Sequence, residues 1–281
     1  MPKSRKFYTC KYDRPFKEIF LNEDNIYLLK GLLETILRIK IEDIKIKPTE
    51  RNTKNLKISR KTYDALIYTK KKKIEIEVNS NATKEYIKPR NASYIFDLYS
   101  HHTLVGEKYT EKTDIIQINL SYGIKENKNS RIYKVRDEEG KEYIRNFYIY
   151  EINMENYKKL WYDKKEDEIK ANTYLIMLDL EKEELKKLAK KNKEVGEYME
   201  KLEKLNEDPE FYQYMTKEED ERKIQNTLIN EALESGLKQG LKQGKFDGLL
   251  ETAQNLLKMN MSVSDIIKAT NLTKEQIEKL K

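Results

Sequence analysis

The chain has 281 residues, 37% of them charged, and a net charge of +7. That length allows one large domain or a medium domain with appendages. No apolar run approaches the roughly 18 residues of a membrane span and no N-terminal apolar segment marks a signal peptide, while the single Cys10 excludes an internal disulfide or a cysteine metal cage and fits a reducing cytoplasm.

In chain order, a basic tail leads into YDRPFKEIFLNEDNIYLLKGLLETIL, which reads as one or two helices. Asp13 is placed as the N-cap with Pro15 in the first turn, and the apolar residues from Ile26 to Leu37 recur at helical spacing. IKIKPTE reads as a short strand closed by Pro48, and KTYDALIYTKKKKIEIEVNS as two strands joined by lysines. KPRNASYIFDLYSHHTL starts a helix at Pro89, a position that tolerates proline. TDIIQINLSY is a β-branched run read as a buried strand, and YIRNFYIYEINM is a further strand. This order of helix, strands, helix and strand is an α/β pattern.

The core is assigned to residues 1–160, and a charged helical region packing on or beside it to 161–225. A segment at 226–252 carries Gly236, Gly240, Gly244 and Gly248 at four-residue spacing, read as a partly helical linker or a self-association helix. In 253–281, Ser262 or Ser264 caps one short helix, Asn271-Leu272 makes the turn, and Thr273 with Gln276 forms a capping box for the next. This pair reads as a helix-turn-helix or as a packing hairpin.

The positive charge is uneven. Residues 1–90 hold 23 Lys and Arg against 12 Asp and Glu, leaving 33 against 37 in the rest. Such a surplus tracks a polyanion such as DNA or RNA, or is an ordinary lysine-rich surface.

Side chains alternate along a strand, so Glu75, Glu77 and Asn79 share one face, expected at the sheet surface, while Ile74, Ile76 and Val78 point into the core. With the turn centred near Lys71, Asp64 falls beside Glu77 and Val78. Two carboxylates converging without an obvious cation point to a hard divalent ion, which takes one or two carboxylates together with water and phosphate oxygens. The alternative is a solvated acidic pair offset by the lysines of the turn. Asp13 is either a third acidic ligand or a helix cap, and Glu75 is the fallback ligand one pleat away. His101 and His102, adjacent on a helix, point apart and are assigned to surface or DNA contact. No Gly-rich phosphate loop, zinc spacing or nucleophile elbow occurs.

Asp64, a hairpin and then Glu77-x-Asn79 resembles the D…(D/E)xK signature of the PD-(D/E)xK nuclease superfamily. Within it the chain resembles the recombination-promoting nuclease and transposase (Rpn) branch, where E-x-Q commonly replaces E-x-K. DRPFKEIF is similar to that family's opening D-x-x-FK motif, Arg90 and Tyr94 match an R-x-x-x-Y pattern, VGEKY at 105–109 matches a G-x-x-Y element, and the glycine run with its terminal helices resembles the family's tail. The resemblance implies a restriction-endonuclease-like α-β-β-β-α-β core, a mixed sheet flanked by helices with a helical C-terminal extension, and Mg²⁺- or Mn²⁺-dependent cleavage of DNA. It makes Asp64 and Glu77 the catalytic metal ligands and puts Asn79 where the superfamily has lysine. An amide positions a water but does not carry a proton away. Three alternatives follow: the metal alone activates the water, Lys84 or Lys88 reaches in from the next helix, or the protein binds DNA through an inert core and the C-terminal helix pair. Lys17, Lys84, Lys88, Arg90 and Tyr94 are assigned to DNA contact or to support of the site, with Arg90 holding either a phosphate or Glu77. The expected protein is a cytoplasmic DNA endonuclease linked to recombination or mobile DNA, dimeric through its C-terminal helices.

Overall fold

The structure is a computed structural model that describes residues 5–51, 61–101 and 112–280. The G-x-x-Y element at 105–109 and His102 lie outside the described residues. The chain divides into two units, one up to Tyr212 and one from Gln213.

The first unit opens with helices α1 (Asp13–Phe20) and α2 (Ile26–Leu37), followed by strands β1 (Lys45–Lys47), β2 (Glu50–Arg51), β3 (Lys61–Thr62), β4 (Ala65–Tyr68) and β5 (Lys72–Asn79). Helix α3 (Ile87–Ser100) leads to β6 (Asp114–Ser121), then β7 (Ser130–Arg136) and β8 (Glu142–Asn153). Five helices complete the unit: α4 (Met154–Tyr162), α5 (Glu166–Ala171), α6 (Thr173–Ile176), α7 (Lys182–Ala189) and α8 (Lys193–Glu207). Helix α9 (Pro209–Lys258), α10 (Val263–Thr270) and α11 (Lys274–Glu278) follow.

Six strands form a mixed sheet in the order β1-β4-β5-β6-β8-β7, and β2 pairs with β3 apart from it. β5, β6 and β8 are mutually parallel, whereas β1, β4 and β7 run antiparallel to their neighbours. This is the expected restriction-endonuclease-like α/β arrangement. β7, a charged edge strand within SRIYKVR, joins it beyond the strands read from the sequence.

Two helical layers cover the sheet. Ile74, Ile76 and Val78 of β5, with Ile116, Ile118 and Leu120 of β6, enter a large core shared with α1, α2 and α4–α8. The charged helices after residue 160 contribute Ile169, Leu185, Val195 and Leu202 to that same core. The opposite face carries a smaller apolar cluster of Leu66, Ile115, Phe147, Ile95 and Leu98, the last two from α3.

That opposite face corrects one expectation. Glu75, Glu77 and Asn79 are not at the surface but are at most 2% exposed. A parallel β5–β6 pair needs a crossover connection, and the crossover helix α3 lies over the polar face. A second correction concerns Asp13. Tyr12, with extended backbone, is the N-cap of α1, and Asp13 already lies in the first helical turn, where a carboxylate favours the helix dipole.

In the second unit, Ala253, Ile266, Leu272 and Ile277 form a small core. Ser262 caps α10, the capping box of Thr273 and Gln276 is reciprocal, and Asn271 adopts the left-handed conformation between the two helices. The glycine run at 236–248 is continuous helix within α9. No described helix is long and apolar enough to cross a membrane.

Candidate active site

The strand pairing sets the geometry. Ala65 pairs with Ile76, so Asp64, at the mouth of β4, lies against Glu77. The Asp64 N–H donates to Glu77 Oε1 at 3.2 Å, and the Val78 N–H donates to Asp64 Oδ2 at 2.8 Å. The backbone of the hairpin thereby holds both carboxylates together, as the turn position predicted.

A cation flanks each carboxylate. Lys17 of α1 places its Nζ 3.4 Å from Asp64 Oδ1, and it also bonds Asp13 one helical turn earlier at 2.8 and 3.0 Å from the two oxygens. Asp13 therefore reaches the site, linked through Lys17 rather than as a cap. From α3, Arg90 Nη2 donates to Glu77 Oε2 at 3.2 Å, to Asn79 Oδ1 at 2.8 Å and to Asn91 Oδ1 at 3.1 Å. Of the two roles proposed for Arg90, the structure displays the contact with Glu77. Tyr94 lies with its ring centroid 5.8 Å from the Arg90 guanidinium and edge-on to Tyr63.

These cations do not balance the pair. Burial, and then the Asp13 charge, push the Asp64 carboxyl above its usual range. Glu77 is raised further, by burial and by the charges of Asp64 and Glu75, against the pull of Arg90. Lys17 is raised as well: burial would lower it, but its bond to Asp13 and the Asp64 charge hold it above the ordinary lysine value, so it stays protonated at neutral pH.

Behind the pair runs a polar network that the sequence reading missed. Glu77, Asn119 and Glu151 stand in register on β5, β6 and β8, and so project to one face. Asn91 Nδ2 donates to Asn119 Oδ1 at 2.9 Å. Asn119 Nδ2 in turn reaches Gln117 Oε1 and Glu151 Oε2, both at 3.4 Å. Gln117 Nε2 donates to Glu75 Oε2 at 3.0 Å and to the Asn91 carbonyl at 2.6 Å. The signal was present: Gln117, Asn119 and Ser121 alternate with isoleucine and leucine in QINLS, the same two-residue rhythm that marked Glu75, Glu77 and Asn79.

Lys84 and Lys88 lie elsewhere. No contact of either with Asp64 or Glu77 occurs among the described residues; both line a cleft of about 370 Å³ with Lys125, Lys128, Arg131, Tyr133, Glu151 and Asn153. The cleft sits where the parallel strands end, a place where open α/β sheets commonly take ligands. Glu151, raised by burial and drawn down by Ser121 and then Lys88, belongs both to the cleft and to the polar network. His101 is exposed and bonds the Asp97 carbonyl of its own helix at 2.8 Å.

The donor set was tested against the divalent ion that the sequence pattern implies. Among the described residues no three His, Cys, Asp or Glu side chains form a ready cage. Asp64 and Glu77 instead fit the two-carboxylate kind of site, in which water and phosphate oxygens supply the remaining ligands. Burial above all, and then the neighbouring carboxylates, raise the affinity of both for protons.

Comparison with known proteins gives the chain's family. No curated protein and no solved structure matches the chain. A family model described as PD-(D/E)XK nuclease family transposase matches residues 10–232, which include α1, the hairpin, α3 and the whole six-stranded sheet. The chain belongs to the PD-(D/E)XK nuclease family of transposases.

Proposed function

We propose that the protein is a metal-dependent endodeoxyribonuclease that hydrolyses phosphodiester bonds by water attack, in the service of recombination or mobile DNA. The observation that carries this reading is the buried Asp64–Glu77 pair, held by the hairpin backbone and under-neutralised by Lys17 and Arg90. Asp64 and Glu77 would hold Mg²⁺ or Mn²⁺, an ion whose chemistry is to acidify a bound water and offset charge on a phosphodiester.

The other groups act from this chain alone. Asn79 accepts from Arg90 and so orients the guanidinium between itself and Glu77. Lys17, protonated and half-buried, sets a fixed positive charge on the Asp64 side, where it can stabilise a phosphate gaining negative charge. It takes the electrostatic place of the lysine absent at 79 but, being protonated, does not act as a base. Lys84, Lys88, Lys125 and Lys128 of the cleft neutralise phosphates of the strand on either side of the scissile bond.

One observation favours a second reading. Arg90 is committed to Glu77, and no strand lysine follows it, which suits a protein that binds DNA with its nuclease centre silenced. Supercoiled-plasmid cleavage with Mg²⁺ or Mn²⁺ and with EDTA separates the two. Nicking that requires metal and disappears in Asp64→Ala and Glu77→Ala, at DNA binding equal to the parent, is the expected result. Binding by all three proteins with cleavage by none establishes the second reading.

A further inference from the structure

Within the second unit, α9 carries an uncovered apolar face. Ile229, Leu233, Leu237 and Leu241 are 55%, 65%, 66% and 67% exposed. Open space lies beside Gly236, Gly240, Gly244 and Gly248. At 3.6 residues per turn these eight fall within an arc of roughly 140°, and from Ile229 to Gly248 that arc admits only Asn230 and Asp247 besides. A solvated helix gains nothing from a line of exposed aliphatic side chains, and contiguous apolar surface of this kind marks a contact site.

The face is lopsided in size and in charge. Its large side chains lie toward the N-terminal end and its glycines toward the C-terminal end. Residues 224–236 carry Glu231 and Glu234 and no base, whereas residues 238–250 carry Lys238, Lys242 and Lys245 against Asp247 alone. A second copy turned end for end about Leu237 sets Leu237 against its own copy, Leu233 opposite Leu241, and Ile229 opposite Lys245, next to the open backbone at Gly244. The same rotation sets the acidic half against the basic half. A parallel pair sets like charge on like charge, which charge complementarity disfavours. We infer that α9 is the interface of a homodimer in which two α9 helices pack antiparallel about Leu237. The inference is independent of the nuclease reading.

Light scattering on the full chain gives the first test: a mass twice the 33.7 kDa chain is expected. Leu237→Glu should return the mass to that of one chain with an unchanged far-UV circular dichroism spectrum, since Leu237 is exposed and touches no core. Cross-linking then reads orientation; Cys10, fully buried with its thiol pushed up to about 12 by burial, does not compete. Oxidation should couple Leu237→Cys to itself and Leu233→Cys to Leu241→Cys. It should leave Ile229→Cys uncoupled to itself, because antiparallel packing separates the two copies of that position by about 24 Å. A parent protein of single-chain mass at every concentration overturns the inference. So does a dimer that survives Leu237→Glu, or one in which Ile229→Cys couples to itself as readily as Leu237→Cys.

Discussion

Glu77 is 2% exposed and shares its surroundings with the charges of Asp64 and Glu75. In the unfolded chain such a carboxyl titrates near pH 4.3; in the folded protein its affinity for the proton is raised, by burial above all. Folding therefore favours the protonated form, and the contribution of Glu77 to stability falls as pH rises from the unfolded value toward the folded one. Glutamine keeps the shape and removes the titration, and Arg90 keeps Asn79 and Asn91 as acceptors. Glu77→Gln is thus expected to be more stable than the parent at pH 7, by on the order of 1–3 kcal/mol, with the gain shrinking as pH approaches 4–5. Urea unfolding at several pH values measures it. A variant less stable than the parent at pH 7 would make Glu77 a structural partner of Arg90 rather than an electrostatic surplus.

At the scale of elements, α3 is the part that turns a polar strand face into a site. Asn91 accepts from Arg90 through its Oδ1, donates to Asn119 through its Nδ2, and its carbonyl accepts from Gln117. Asn91→Leu conserves volume and strands Asn119 Oδ1 in a buried environment, so it should cost about 1–3 kcal/mol. Denaturant unfolding reads that loss, and a cost within a few tenths of a kcal/mol would show that α3 does not depend on the network. Elements also mark how far the sequence could be read. A serine cap at 262 or 264, the Thr273–Gln276 box and the hairpin register were legible because each depends on residues a few positions apart. The burial of Glu75, Glu77 and Asn79 was not, since it follows from a crossover that brings α3 back over the sheet. β7 was missed because SRIYKVR has no clean two-residue alternation and the strand buries little surface. Lys17 could be paired with Asp13 from their four-residue spacing, but its contact with Asp64 joins the first helix to the hairpin and exists only in the folded chain. Proximity in sequence therefore points to Lys84 and Lys88 as substitutes, whereas the fold directs both into the cleft.

Over the whole molecule the charge carries a net +7, which suits a polyanionic substrate. Against that background the protein buries Asp64 and Glu77 side by side and leaves both with raised proton affinity. Neither the core nor the hairpin requires this. Val78 and Asp64 would be tied by the same backbone bond with asparagine at 64, and Arg90 already has Asn79 and Asn91 as acceptors. Perturbed, buried carboxyl groups cluster at functional sites, which is why this pair is the one proposed. In the proposed function a divalent cation completes the balance there. Calorimetric titration of Mn²⁺ into the full chain, beside Asp64→Asn and Glu77→Gln, tests it without any need for turnover. Saturable binding by the parent, accompanied by a rise in its thermal midpoint and lost in both variants, is the predicted result. No binding at millimolar Mn²⁺, or equal binding by parent and variants, would contradict it.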